Sequence, residues 1–220
     1  MCGRFTLTAE ISELQKVFPW VEFPKEMSPR YNIAPSQPVA VISNHNPKRV
    51  DFFVWGLIPN WAKDAQIGNR LINARAETLA QKPAFRGPYR YRRCLILADG
   101  FYEWQKEGKV KRPFLIRLKL AKPFAMAGLW DSWQSADGSE IYSCTIITCE
   151  ANDLVKPIHE RMPVILPSSA YQLWLTMSEM NLRQLEVLLQ PYPASEMEAF
   201  AVSSLVNNPH QDRVECIQPI

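Results

Sequence analysis

Apolar positions in this chain fall mainly into short runs rather than long amphipathic stretches. The runs are VAVIS (39–43), RVDFFVWGLI (49–58), RCLILADGFYEW (93–104), PFLIRL (113–118), FAMAGLW (124–130), YSCTIITC (142–149), MPVIL (162–166) and AFAVSS (199–204). Their length and their content of β-branched and aromatic residues predict strands. A spacing of three to four residues appears in TAEISELQKVF, where Ile11, Leu14 and Phe18 share a face behind Thr8 as N-cap, and again in SSAYQLWL and NLRQLEVLLQ; these predict short helices. Eighteen prolines, several just outside the runs, suit many short elements joined by defined turns. The expected fold is α+β: one domain over 1–220, with a mostly antiparallel, bent or barrel-like sheet and short peripheral helices.

Composition narrows the function classes. No run approaches the ~20 apolar residues of a membrane span, and the charged start has no secretory pattern. A cytoplasmic protein is expected, with no membrane partner. Five cysteines (Cys2, Cys94, Cys144, Cys149, Cys216) are scattered, without a Cys-x-x-Cys pair and with three histidines (His45, His159, His210) for company. That pattern argues against a disulfide framework and against a zinc site, so neither metal nor cofactor is expected. Cys94, Cys144 and Cys149 lie in apolar runs and read as buried thiols.

The net charge is only +3, but Lys82–Lys119 holds eleven Lys or Arg against Asp99, Glu103 and Glu107. Within it, FRGPYRYRRC interleaves Arg86, Arg90, Arg92 and Arg93 with Phe85, Tyr89 and Tyr91. Cations for phosphates beside aromatic rings for bases suit single-stranded nucleic acid, while a solvated basic face beside a partly buried aromatic cluster fits the same letters.

The start, MCGRF, carries the sharpest chemistry. Removing Met1 would leave Cys2 as a 1,2-aminothiol. An α-amine of pKa about 7.7–8.0 is neutral to roughly a tenth or more at pH 7, against about 0.1% of a lysine, so it is the better nucleophile toward an aldehyde. Attack of the neighbouring sulfur on the resulting imine closes a five-membered thiazolidine, favoured by its intramolecular geometry. Proton-transfer partners come from three stretches. INARAET sets Asn73 and Arg75 two apart, on one face if extended. ADGFYEWQ carries Glu103 between Tyr102 and Trp104, where a carboxyl's pKa is raised. PIHERMPVIL offers His159 just before an apolar strand. Each residue alone also fits an ordinary hydrogen-bonding role at a strand end or turn.

Taken in order, MCGRF, RYNIAPSQ (30–37), WGLIPNW (55–61), INARAET (72–78), ADGFYEW (98–104) and IHERMPVIL (158–166) resemble the motifs of the SOS response-associated peptidase (SRAP) family over nearly the whole chain. The resemblance implies the SRAP fold and an abasic-site processing protein that recognises single-stranded DNA and crosslinks to the ring-opened sugar aldehyde. It implies catalytic roles for Cys2, exposed by removal of Met1, for Asn73 in holding the terminal cysteine and sugar, for Glu103 as the acid, and for His159 in sugar ring-opening. It also implies DNA contacts at Gly3, Arg4, Pro35, Trp61 and Arg75. A monomer, associated with the nucleoid when bound to DNA, meets these requirements. Because the chain ends at Ile220, no long tail with partner-binding motifs is expected. Two other readings use the same residues: an N-terminal-nucleophile cysteine peptidase acting on proteins, and a non-covalent single-strand binder.

Overall fold

The structure is a computed structural model that describes residues 2–176 and 182–220. From the amino terminus run β1 (Phe5–Leu7), α1 (Ile11–Val17), β2 (Arg30–Ile33), β3 (Pro38–Ser43), β4 (Asp51–Trp55), β5 (Asn73–Arg75) and α2 (Pro83–Tyr91). There follow β6 (Arg93–Ala98), β7 (Gly100–Glu107), β8 (Val110–Leu118), β9 (Phe124–Gln134) and β10 (Glu140–Glu150). The chain continues with β11 (Arg161–Pro163), β12 (Ile165–Leu166), α3 (Tyr171–Thr176), α4 (Leu182–Glu186) and β13 (Met197–Ala201).

The strands form two sheets. In one, β10, β4, β3, β6 and β9 pair in succession and β9 pairs again with β10, so these strands close into a ring. The other is open, in the order β13-β8-β7-β1-β2. The expected barrel-like, mostly antiparallel sheet is present; β10 runs parallel to β4 and β5. Every residue of β6 is buried, as are the first eight of β9. Strands covered on both faces read as continuous apolar runs instead of alternating ones. The ring is tight: a Cβ on Gly128 would lie 2.8 Å from Ile96 Cδ1 and 2.9 Å from Cys94 Sγ.

The run 93–104, expected as one strand, is two. β6 lies in the ring and β7 in the open sheet, with Asp99 at the corner between them. Its buried carboxylate accepts hydrogen bonds from Thr6 Oγ1, from the Thr8 and Ala9 backbone N–H groups, and from Thr8 Oγ1 at 2.8 Å. Thr8 is therefore not the N-cap of α1. Glu10 takes that position, and the Glu13 carboxylate accepts from its N–H at 3.2 Å.

Helix α2 was not expected, because Gly87-Pro88 reads as a break; Pro83 in its first turn has the φ a helix start needs. It settles the roles of several arginines in FRGPYRYRRC. Arg93 is buried, and its Nη1 donates to the carbonyls of Tyr89 (2.9 Å) and Arg90 (2.7 Å) while Nε donates to Trp174 O (2.7 Å). It satisfies carbonyls that a helix end leaves open. Arg92 pairs with Asp131 at 3.1 Å, whereas Arg86, Arg90 and Tyr91 remain exposed. SSAYQLWL forms a 3-10 turn followed by α3, and NLRQLEVLLQ contributes α4; Asn181 lies outside the described residues. Among the described residues no helix is long and apolar enough to cross a membrane.

Asp99→Ala is expected to lower unfolding stability by about 2–4 kcal/mol, since it strips partners from buried donors. Urea denaturation followed by circular dichroism measures this; a loss below about 1 kcal/mol would mean that the corner holds without the carboxylate.

Candidate active site at the amino terminus

Strand register decides what meets Cys2. β1 pairs antiparallel with β7 through Phe5↔Phe101 and Thr6↔Gly100, and the Tyr102 N–H donates to Arg4 O at 2.9 Å. Continued by one residue toward the terminus, the same register sets Gly3 opposite Glu103. From the barrel side, β5 pairs with β10 through Asn73↔Ile146, and the Asn73 Nδ2 donates to the Cys2 carbonyl at 2.8 Å. Asn73 Oδ1 is buried and has no hydrogen-bond partner among the described residues. Cys2, Asn73 and Glu103 thus converge from three separated segments.

Burial dominates the electrostatics. Cys2 is fully buried, its Sγ lies 3.8 Å from Arg4 O, and burial first, then the Glu103 charge, push the thiol well above its ordinary pKa. Glu103 is itself only 2% exposed, and burial pushes its carboxyl from 4.5 up to about 7. A carboxyl with that pKa can both give and take a proton at neutral pH.

His159 is half-buried ahead of β11. Its Nδ1 lies 3.0 Å from the Arg161 N–H and 3.2 Å from the Arg161 carbonyl, so each neutral tautomer has a backbone partner. Burial lowers its pKa, with further depression from neighbouring positive charge that includes Lys106. Glu103 and His159 line one cleft of about 410 Å³ with Trp104, Lys106, Lys111 and Asn207. A larger cavity, about 530 Å³, lies under Glu77, Cys149 and Glu186 and contains none of the four expected catalytic residues.

The remaining expected positions lie on four separate segments. Gly3 is partly exposed beside Cys2, and Arg75 is exposed on β5, two residues from Asn73. Pro35 is partly exposed next to Ser36, which takes φ +69, and Trp61 is 57% exposed. Arg4 has a structural role that its sequence did not signal: Nη1 donates to Asn32 Oδ1 and to Val206 O, each at 2.7 Å.

Sequence reasoning missed four residues. Arg161 holds Glu77 bidentately (2.7 and 3.0 Å) and donates to Thr148 O at 2.7 Å, which ties the His159 segment to β10 and to the turn after β5. Asn207 accepts from Trp104 Nε1 at 2.7 Å and closes the cleft from the far end of the chain. Lys106 and Lys111 line it from the β7–β8 hairpin. The hairpin was detectable from Gly108 between two alternating runs; nothing local marks Asn207.

The family model described as SOS response associated peptidase (SRAP) matches residues 1–209. The chain belongs to the SRAP family. It is 47% identical to the abasic site processing protein YoqW of Bacillus subtilis (strain 168), over 99% of each chain. It is 33% identical to the abasic site processing protein HMCES of Gallus gallus, over 87% of this chain and 66% of that one. A crystal structure of a Bacteroides thetaiotaomicron protein superposes with a TM-score of 0.88 at 26% identity, with full coverage of both chains. In this SRAP chain the motif residues Cys2, Asn73 and Glu103 are the ones that strand pairing and the Asn73 amide gather.

The raised pKa of Glu103 links its proton to folding. Stability from the protonated carboxyl is full below about pH 4 and is lost as pH rises through about 7. Glu103→Gln is therefore expected to melt several degrees above the parent at pH 8 and to show no advantage at pH 4. Thermal scans across that range check it, and equal midpoints at pH 8 would refute a buried, proton-holding Glu103.

Proposed function

We propose that this protein processes abasic sites in single-stranded DNA by covalent capture on a mature amino-terminal Cys2. The observation that carries the reading is the convergence of Cys2, Asn73 and Glu103, with His159 in the same cleft as Glu103. The names of the relatives point the same way.

The chemistry balances with water alone. Hydrolysis of the Met1–Cys2 peptide consumes one water and frees the α-amine. His159 moves a proton between the C1′ hydroxyl and the ring oxygen, which opens the sugar to its aldehyde. The amine adds to the carbonyl carbon, and loss of water, with Glu103 donating the proton, leaves an imine. The Cys2 sulfur then forms a bond to the imine carbon while its proton passes through Glu103 to the nitrogen, giving a thiazolidine. Asn73 fixes the Cys2 carbonyl through Nδ2 and offers Oδ1 as an acceptor toward the amine or a sugar hydroxyl. A buried, neutral thiol suits this order of events, because the amine attacks first and the sulfur second. Gly3, Pro35, Trp61 and Arg75 would carry the strand: glycine by close approach, proline and tryptophan as surfaces for bases, and arginine at phosphate. Arg4 would add to this field from its anchored position.

Intact mass spectrometry before and after incubation with an abasic-site oligonucleotide is expected to show loss of Met1 and then a DNA adduct that maps to Cys2. Cys2→Ala should bind the oligonucleotide without any adduct. An adduct that persists in Cys2→Ala would overturn the reading, and a mature Cys2 that forms none while cleaving unrelated peptides would favour a peptidase. In protein verified to start at Cys2, Glu103→Gln should slow crosslinking by about a hundredfold or more. Stopped time courses quenched for gel analysis measure that rate. Arg75→Ala should weaken binding and flatten the slope of log K against log[salt] by about 0.7, the value for one phosphate contact on a single strand; wild-type affinity at every salt concentration would make Arg75 purely structural.

A further inference from the structure

The hairpin joining β7 to β8 carries a feature that the proposed chemistry does not use. Its loop is Gly108-Lys109, with Gly108 at φ +62, a conformation that glycine supplies without a Cβ penalty. The register that follows sets Lys106 directly opposite Lys111, and Trp104 opposite Pro113. Side chains two apart on a strand share a face, so Trp104 and Lys106 point the same way, as does Lys111 across the ladder. Opposed residues of this kind stand about 5 Å apart at Cα. Like charges directly opposite each other in a sheet destabilise it. Among the described residues neither lysine makes an ion pair, and Glu107, next in sequence, belongs with Glu103 to the other face of β7 by alternation, so the cleft is lined from both faces of the strand. Both lysines are exposed, and both line the cleft that holds Glu103 and His159. Trp104, the aromatic on the same face, is partly exposed and fixed by its indole hydrogen bond to Asn207.

We propose that Lys106 and Lys111 form a two-pronged site for a single DNA phosphodiester, the one next to the nucleotide whose sugar occupies the Glu103–His159 cleft. An anion placed between the ammonium groups relieves their mutual repulsion, and the Trp104 ring beside it limits where the adjoining sugar can lie. The two lysines act as positioning residues: they hold the strand and do not touch the reacting atoms. This inference rests on the reading of the cleft as the place where DNA is processed.

The test separates the two ideas. In a Cys2→Ala background, where nothing becomes covalent, binding of a single-stranded oligonucleotide with a tetrahydrofuran abasic analogue is followed by fluorescence anisotropy from low to high salt. Neutralising one phosphate contact on a single strand changes the slope of log K against log[salt] by about 0.7. Lys106→Gln/Lys111→Gln is expected to flatten the slope by that amount, while Lys122→Gln, an exposed lysine on a different loop, leaves it unchanged. A methylphosphonate at the linkage on one side of the analogue should flatten the parent's slope equally and have no further effect on the double variant. An unchanged slope in the double variant, or additive losses with the methylphosphonate on each side in turn, would overturn the proposal. The outcomes stay distinct: a parent that crosslinks normally with an unaltered slope in the double variant sinks only the lysine site. A Cys2 that forms no adduct, with the slope still flattened, sinks only the covalent chemistry. Failure of the parent to bind single strands sinks both. The exposed positions tolerate glutamine, and removing a like-charge pair should keep or raise the melting midpoint, which verifies that the variant is folded.

Discussion

The site depends on a three-residue strand being held in one register. β1 spans only Phe5–Leu7, yet it is hydrogen-bonded to β7 on one side and to β2 on the other. A slip of one residue would exchange its two faces and take Gly3 away from Glu103. So short a ladder cannot specify its register alone. Asp99 supplies the restraint from the middle of the strand past its far end, where it gathers Thr6, Thr8 and Ala9. Asn73 supplies it at the near end through the Cys2 carbonyl. Between them Phe5 is buried and meets Trp55 edge-on at 5.1 Å, so the strand is fastened to the barrel as well as to its own sheet. The proposed nucleophile at Cys2 would need this kind of fixation, because chain ends otherwise tend to be poorly ordered and a disordered nucleophile forfeits its effective concentration.

Fixation by burial has an electrostatic consequence. The thiol and the carboxyl are both removed from water, and desolvation disfavours the ionised form of each. The pair is therefore proton-rich near neutrality. A cysteine protease needs a thiolate at rest; a terminal aminothiol does not, since its amine makes the first bond and the sulfur follows intramolecularly. The raised carboxyl of Glu103 complements this, because a carboxyl whose pKa is about 7 can pass a proton either way, and the His159 Nδ1 has a backbone partner in either neutral tautomer.

The local letters announced much of this architecture and little of its closure. Runs such as VAVIS and YSCTIITC became β3 and β10 because strands buried on both faces are apolar throughout. Glu103 and His159 were visible because a polar residue beside an apolar strand stands out, and Asn73 because it lies two residues from Arg75, on one face of an extended segment. The break at Asp99 was hidden, since a run that crosses from one sheet to another stays apolar on both sides of the corner. Helix α2 was hidden for a different reason: Gly87-Pro88 is a turn signal locally, and only the packing of Phe85, Pro88 and Tyr89 with the Arg93 cap makes the segment helical. The basic, aromatic stretch around Arg93 fitted both a nucleic-acid surface and a solvated basic face, because charge patterning does not reveal which guanidinium is folded back on its own helix end.

Contacts between distant parts of the sequence explain the rest. The 3-10 turn Ser204–Asn207 offers the Val206 carbonyl to Arg4 and the Asn207 amide oxygen to Trp104, so one turn near the carboxyl terminus braces the segment just after Cys2 and the wall of the Glu103 cleft. Asn32 joins the same group by accepting from Arg4 and donating to Val206 O, Asn208 O and Gln211 O. Tyr102, beside Glu103, reaches Tyr31 O at 2.7 Å. Strand β7 is therefore backed by β2 and by the carboxyl-terminal segment, while its hairpin end projects toward solvent with the paired lysines. Rigid support at Glu103 combined with an exposed hairpin a few residues away is what the proposed function requires: the proposed chemistry fixed in place, and a charged strand reached from outside.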